Sequence, residues 1–315
     1  MPRIVLVMAF IIAAGCGSSS PAPSTSQTTS APADAAQAPA DRQYLLERVG
    51  EAAVVQLYAD GFNELPLKEK TLIWHLSQAA IAGRDIFYDQ RSAHNLEMRD
   101  ILEAIVAHPA GVDPATLSEI QRYTKLFWIN TGPYNNLTAR KFVLTCTPEA
   151  FAAAAHAAEK AGATFPTQKN ETLDQLLARL GPQFFDANVE PMVTAKTPGP
   201  GQDILTASAN NLYVGVTSKD LEGFHEQHPL NSRLVKRDGK LVEEVYKIDG
   251  RYGKQIAAIV SHLEAAIPFA TAPMADALRA LIKSYQTGET SDREAYDIAW
   301  VRDKASPVDT INGFI

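Results

Sequence analysis

One block of the sequence, residues 58–90, constrains the fold more than any other part of the chain. Apolar and small residues recur in it at the spacing of one helix face, namely Leu72, Leu76, Ala79, Ala80 and Gly83. This spacing predicts an amphipathic helix that packs against a core. The small residues predict the close approach of a second element, and Gly83 is expected to end the helix.

Length and composition indicate a globular protein with a substantial core. The chain has 315 residues, of which 46% are hydrophobic and 21% are charged, as in ordinary soluble domains. The formal net charge is −7, and no basic cluster is dense enough to indicate nucleic-acid binding. We therefore expect no nucleic acid among the partners.

The amino terminus is typical of an export signal. Arg3 precedes an apolar run at residues 4–12 that is too short to span a bilayer, and Ala-Ala-Gly-Cys follows at residues 13–16. A cysteine after small residues resembles a bacterial lipobox, in which the cysteine receives lipid and becomes the first residue. We predict a lipoprotein signal peptide over residues 1–16 with lipidation at Cys16. A simple signal peptide with an incidental cysteine is the alternative.

The next segment, residues 17–41, is composed almost wholly of Ser, Thr, Pro, Ala and Gln. Such a tract buries too little apolar surface to offset its ordering entropy, so it predicts a disordered tether. Gly17 does not supply the Asp that retains lipoproteins in the inner membrane. We therefore expect an exported protein, lipid-anchored at the outer membrane and facing the periplasm, with its globular part at residues 42–315.

Helical patterns dominate the globular part, and strand patterns occur in its second half. One predicted helix begins at Leu45. The others cover residues 58–83, 98–108, 114–127, 148–162, 172–181, 252–266, 274–285 and 292–302. The strand-like stretches are residues 211–217, 234–248 and 308–315. Asp238 and Gly239 predict a hairpin turn within the second stretch. The predicted class is a helix-rich α+β fold, and the apolar end leads us to expect a chain truncated at residue 315.

The nearest approach to a metal signature is His-Glu-Gln-His at residues 225–228. A helical zinc-peptidase signature has two histidines one turn apart, as in His-Glu-x-x-His. Here the spacing is one residue shorter, and Pro229 favours a turn over a continuing helix. The pattern predicts a solvated loop, with a metal-binding loop of an unrelated lipoprotein as the alternative. Cys146 lacks an evident activating partner, and no phosphate loop or serine-hydrolase motif indicates another active site.

Six segments together resemble a known family. They are residues 58–90, 127–143, 211–216, 230–235, 238–239 and 296–315. The sequences of these segments, and their order along the chain, resemble the bacterial branch of the dipeptidyl-peptidase III family of zinc exopeptidases, over its amino-terminal portion only. The resemblance implies one lobe of a two-lobed zinc peptidase, with a small β-core that binds peptides by strand addition.

The resemblance also implies where the family's zinc chemistry lies. Members hold zinc with a His-Glu-x-x-Gly-His helix and a later Glu, and the first Glu acts as general base on the metal-bound water. This chain contains no such motif. We therefore expect zinc in the full-length family enzyme, no zinc bound by this chain, and no catalytic residue within it.

The resemblance implies that four residues of this chain contact the peptide substrate. Trp300 matches an aromatic residue that lines the subsite for the first side chain of the substrate. Asn136 and Leu137 fall in the loop that faces it, although relatives often have an aromatic residue where Leu137 stands. Tyr134 belongs to the same loop. The alternatives are that Trp300 anchors the last helix to the core, and that the loop of Tyr134 and Asn136 packs on itself.

Two functional hypotheses follow. The first is the amino-terminal portion of a secreted, lipid-anchored zinc dipeptidyl-peptidase that removes dipeptides from the amino ends of short peptides, with the covered chain inactive alone. The second is a non-enzymatic peptide-binding or scaffolding lipoprotein.

Overall fold

The computed structural model describes residues 42–313. The predicted signal peptide, the lipidation at Cys16 and the tether lie outside the described residues. The described chain divides into two compact units, one on each side of the boundary between Asp60 and Gly61.

The described part of the first unit is a β-hairpin rather than the helix expected from Leu45. Strand β1 (Leu45–Val49) pairs with strand β2 (Ala52–Val55) in antiparallel register. Gly50 adopts φ 60° in the connection, a backbone conformation that suits a tight hairpin turn. The spacing of the apolar residues fitted a helix equally well, but the left-handed turn between them favours two short strands.

The second unit contains all eight α-helices of the described chain. They are α1 (Leu67–Arg91), α2 (Asn95–Ala107), α3 (Pro114–Asn130), α4 (Pro148–Lys160), α5 (Leu173–Phe185), α6 (Gly253–Ala266), α7 (Ala272–Thr287) and α8 (Thr290–Arg302). Four of them begin where a side chain caps the first turn: Asp113 for α3, Thr147 for α4, Thr172 for α5 and Thr271 for α7. All eight helices of this unit correspond to segments predicted from the sequence.

Two predicted helix ends were wrong. Helix α1 continues through Gly83 to Arg91, and α5 continues through Gly181 to Phe185. Both glycines lie in helix interiors, where packing of the flanking turns outweighs their poor helix propensity. Gly83 also serves the contact that the small residues predicted, because a Cβ there would lie 3.1 Å from Cδ1 of Ile259 on α6. Ala80, by contrast, is exposed.

A three-stranded sheet lies in the second half of the chain. Strand β3 (Tyr213–Val214) runs parallel to β4 (Ser232–Arg237), which pairs antiparallel with β5 (Lys240–Val245). Asp238 and Gly239 both have positive φ at the β4–β5 turn, which confirms the predicted hairpin. The strand predicted at residues 211–217 is only two residues long, and residues 308–313 form no strand.

Two hydrophobic clusters stabilise the second unit. The first cluster joins the end of α1 to α2–α5, with Tyr88, Met98, Ile101, Leu102, Ile105, Ile120, Tyr123, Phe127, Leu176 and Phe184 among its members. The second cluster joins most of α1 to α6–α8, with Leu72, Ile86, Tyr246, Ile256, Leu263, Leu278, Leu281 and Tyr296 among its members. Helix α1 therefore contributes to both cores.

These elements confirm the helix-rich α+β class. Within residues 42–313, no helix combines the length and the apolar character needed to cross a lipid bilayer.

Candidate functional site

A cleft of about 840 Å³ opens beside β5, the carboxyl-terminal half of α1 and the turn before α6. Acidic and basic side chains line it in nearly equal number, among them Asp89, Glu244 and Arg251. These three belong to an ionic network at one wall of the cleft.

Asp89 is the first centre of this network. Its Oδ2 atom accepts hydrogen bonds from Tyr252 Oη at 2.6 Å and from Asn211 Nδ2 at 3.1 Å, and it also pairs with the Arg251 guanidinium. Tyr252 has φ 61° at the start of α6, a left-handed conformation that this contact helps to hold. Burial and the hydrogen bond to Asp89 raise the pKa of Tyr252, so the phenol remains a proton donor at neutral pH.

Glu244 is the second centre. It accepts hydrogen bonds from Arg233 Nη2 at 2.6 Å and Nε at 2.9 Å, and it pairs with Arg237. Arg233 Nη1 donates to Asn211 Oδ1 at 2.8 Å, which connects the two centres. The network therefore fastens the sheet to α1, and its charges are occupied by one another rather than held free for a substrate.

The predicted peptide-contact loop, residues 134–141, follows α3 and is shaped by Gly132. That glycine has φ 128°, and a Cβ there would lie 2.5 Å from Asn95 Nδ2. Only glycine fits this combination of backbone angle and close contact. It turns the chain so that Tyr134 enters the protein interior.

Tyr134 is fully buried, and Arg91 Nη2 donates to its carbonyl oxygen at 3.1 Å. Burial raises the pKa of the Tyr134 phenol. Across the loop, Lys141 Nζ donates to Val189 O at 2.6 Å and to Gln183 Oε1 at 2.9 Å. The ring of Tyr134 is inaccessible in this conformation, as expected of a loop that packs on itself, and contact of Tyr134 with a peptide stays a prediction.

The other two loop residues lie at the surface. Leu137 is 96% exposed, and Asn136 is also exposed. Asn136 Nδ2 reaches back to the carbonyl of Ile129 at 3.4 Å, as a loop that packs on itself would do. Contact of Asn136 and Leu137 with a peptide stays a prediction.

Trp300 lies on α8 and is partly buried against the second cluster. Its Nε1 atom donates to Asp309 Oδ1 at 2.9 Å, which fixes the indole orientation. Trp300 therefore anchors α8 to the core, as the alternative expected. Its role in lining the subsite for the first side chain of the substrate stays a prediction. No hydrogen bond joins Trp300 to the loop within residues 42–313.

The His-Glu-Gln-His segment forms a loop, as its spacing and Pro229 predicted. His225 is exposed, whereas His228 Nδ1 lies 2.8 Å from Glu243 Oε2. Across residues 42–313, no group of three or more His, Cys, Asp or Glu side chains is arranged to hold a metal ion. The residues described here do not fit the zinc site of the resembled family.

The network of Asp89 and Glu244 was not anticipated from the sequence. Asp89 and Arg251 are 162 positions apart, and each is a common residue type in an unremarkable local pattern. The only local signal was the acidic and aromatic stretch at the end of the 58–90 block.

Comparison with known proteins gives one family match. The model of peptidase family M49 matches residues 189–315, which confirms the resemblance to the dipeptidyl-peptidase III family over that part of the chain. No curated protein matches.

Two solved dipeptidyl-peptidase III structures are similar at low identity. The one from Caldithrix abyssi is 19% identical with a TM-score of 0.48, covering 78% of this chain and 35% of its own. The one from Corallococcus sp. strain EGB is 17% identical with a TM-score of 0.47, covering 80% of this chain and 36% of its own. The chain thus spans about a third of the length of these structures.

Proposed function

We propose, from the match of residues 189–315 to peptidase family M49, that this chain is the peptide-binding portion of a zinc-dependent dipeptidyl-peptidase. The whole enzyme removes dipeptides from the amino ends of short peptides. The family match is the observation that carries this proposal. Since the chain contains no His-Glu-x-x-Gly-His motif, it binds peptide without hydrolysing it alone.

The proposal assigns no catalytic step to the described residues, because they do not fit a zinc site. Their part is to hold and orient a peptide. Trp300 supplies an apolar surface in a fixed orientation, since its ring packs on the second cluster and its N–H is bound by Asp309. Leu137 supplies a second apolar contact, and Asn136 a polar one.

Peptide binding is tested by calorimetry on the full chain with an apolar tetrapeptide that has a free amino end. We expect saturable binding, weakened about tenfold by Trp300→Ala, because an aromatic anchor commonly dominates a small interface. Trp74→Ala is the matched control, since Trp74 is a half-exposed tryptophan on α1 outside the proposed site. Equal losses in both variants, or no binding by the parent, would overturn the proposal.

Hydrolysis is tested on the same preparation. We expect neither stoichiometric zinc nor dipeptide release, and finding both would show that this chain is a complete peptidase. Sequencing the gene beyond codon 315 separates the two functional hypotheses. A continuing frame that encodes a His-Glu-x-x-Gly-His helix supports the peptidase, whereas an immediate stop supports the peptide-binding or scaffolding lipoprotein.

We also propose that the protein is exported and lipid-anchored at the outer membrane through Cys16. The support is the order of charge, apolar run and small residues before this cysteine. Fatty-acid labelling of the expressed chain should mark the parent and not Cys16→Ser. Cleavage without labelling would instead establish a simple signal peptide.

A further inference from the structure

The exposed turn at residues 134–141 is shaped by asparagine side chains that lie beneath it. We propose that Asn130 is a positioning residue that holds Asn136 and Leu137 in place for peptide contact. This inference rests on the proposed function, because it assigns a purpose to the geometry of the same loop.

Asn130 is the last residue of α3 and is 7% exposed. Its Oδ1 atom accepts a hydrogen bond from the backbone N–H of Asn136 at 3.0 Å. Its Nδ2 atom donates to the carbonyl of Leu126 at 2.9 Å, one turn earlier in the helix. Because both ends of the amide are bound, its orientation is fixed, and the helix end sets the position of Asn136.

Asn135 completes the turn from within. Its Oδ1 atom accepts hydrogen bonds from the backbone N–H groups of Leu137 at 2.9 Å and Thr138 at 3.0 Å. Asparagine stabilises turns in this way, since its short side chain reaches the backbone two and three residues ahead. Its own carbonyl accepts from the N–H of Ala139 at 2.8 Å. Two asparagines thus bind three consecutive backbone donors.

This arrangement determines what the turn offers to a ligand. Its backbone donors at residues 136–138 are already occupied, so side chains remain as the contacts. Leu137 is 96% exposed, and within the described chain no group bonds Asn136 Oδ1. The ligand chemistry that fits is an apolar side chain against Leu137 with a peptide N–H directed at Asn136 Oδ1. A turn held before binding loses less conformational entropy when the peptide arrives.

Amide hydrogen exchange, resolved to single residues in the full chain, tests the positioning directly. Asn130→Ala should accelerate exchange at Asn136 by about tenfold or more, because a hydrogen-bonded amide becomes free. The amides of Leu137 and Thr138 should change less. Asn135→Ala is the matched control and should give the reverse pattern. Asn130→Gln keeps an amide with both an acceptor and a donor, so it should restore part of the protection at Asn136.

The affinity of the same variants for the tetrapeptide tests whether the positioned turn serves peptide binding. Asn130→Ala should raise the Kd by about fivefold, the effect of one lost hydrogen bond, and Asn130→Gln should recover part of that loss. Unchanged exchange at Asn136, or altered exchange with unchanged affinity, would overturn the positioning role. If the parent binds no peptide while exchange behaves as expected, the proposed function fails and the turn is structural only.

Discussion

The carboxylate of Asp89 accepts a hydrogen bond from the hydroxyl of Tyr252 at 2.6 Å, although the two residues are 163 positions apart. Arg251, the neighbour of Tyr252, pairs with the same carboxylate. Asp89 and Arg251 are only 16% and 20% exposed, so water screens their interaction weakly. One side chain on α1 therefore holds both residues at the start of α6.

Asp89→Asn should destabilise the fold strongly. The substitution preserves size but removes the charge opposite Arg251, which is then left partly buried without its main partner. Loss of one member of such a pair should lower the unfolding free energy by about 2–4 kcal/mol, measured by urea denaturation. Asp276→Asn is the matched control, because its pair with Arg279 is well exposed, and it should cost less than about 1 kcal/mol. Equal costs would contradict a special role for Asp89.

Two glycines in helix interiors should respond differently to the same change. Gly181 has nothing within 4 Å of an added Cβ apart from its chain neighbours, so Gly181→Ala should raise the unfolding free energy through helix propensity. The gain should stay below about 0.5 kcal/mol, because Pro182 crowds a Cβ on the residue before it. At Gly83 the added methyl would press on Ile259 Cδ1 at 3.1 Å, and that strain offsets the gain. Thermal denaturation should therefore rank Gly181→Ala above Gly83→Ala. The opposite ranking would mean that α1 and α6 pack less closely at Gly83 than the 3.1 Å distance to Ile259 indicates.

His156 should make stability depend on pH. Its Nε2 atom lies 2.6 Å from Asp174 Oδ1, and this hydrogen bond raises the pKa of His156. The folded state then binds the proton more tightly than the unfolded state. The contribution is therefore complete below about pH 6.5 and is lost as the pH rises through the raised pKa.

Asp174→Asn checks this contribution by urea denaturation at pH 5.5 and pH 9. It should cost more at the lower pH, by less than about 1 kcal/mol because both groups are solvent-exposed. Asp276→Asn should show no such difference, since its arginine partner stays charged at both values. A greater cost of Asp174→Asn at pH 9 would refute the linkage.

Lys141 should make the unfolding free energy rise with pH, the opposite of the effect of His156. Burial lowers its pKa to about 8, below the value of about 10.4 for a lysine in an unfolded chain. Between these values the unfolded chain binds a proton that the folded chain lacks, so the unfolding free energy should rise with pH, by up to about 1 kcal/mol per unit. Lys141→Met should abolish that rise. A direct titration of Lys141 by NMR with a midpoint above 10 would refute the prediction.

Local sequence signals anticipated the elements that local chemistry determines. Thr147 followed by Pro148 defines the start of α4 through a side-chain cap and a fixed backbone angle, both of which depend on adjacent residues. Asp238 and Gly239 likewise define their hairpin turn. Such features could be predicted because their causes lie within a few positions.

The remaining features depend on distant residues or on competing patterns. Around Leu45 the same apolar spacing suits a helix or a hairpin, and the conformation of Gly50 decides for the hairpin. The contact of Asp89 with Tyr252 exists only after α1 and α6 have packed. In the loop at residues 134–141, the family resemblance pointed to Asn136, whereas the hydrogen bond from its N–H to Asn130 exists only in the folded turn.

The division of α1 between two hydrophobic clusters has a consequence for synthesis. The first cluster is built entirely from residues between Tyr88 and Phe184, so it can close while the ribosome is still adding the second half of the chain. The second cluster joins Leu72 to partners on α6–α8, which are made more than 150 residues later. The side of α1 that joins the second cluster therefore stays open to solvent while residues 92–252 are added, and the nascent chain needs protection there until α6 has emerged.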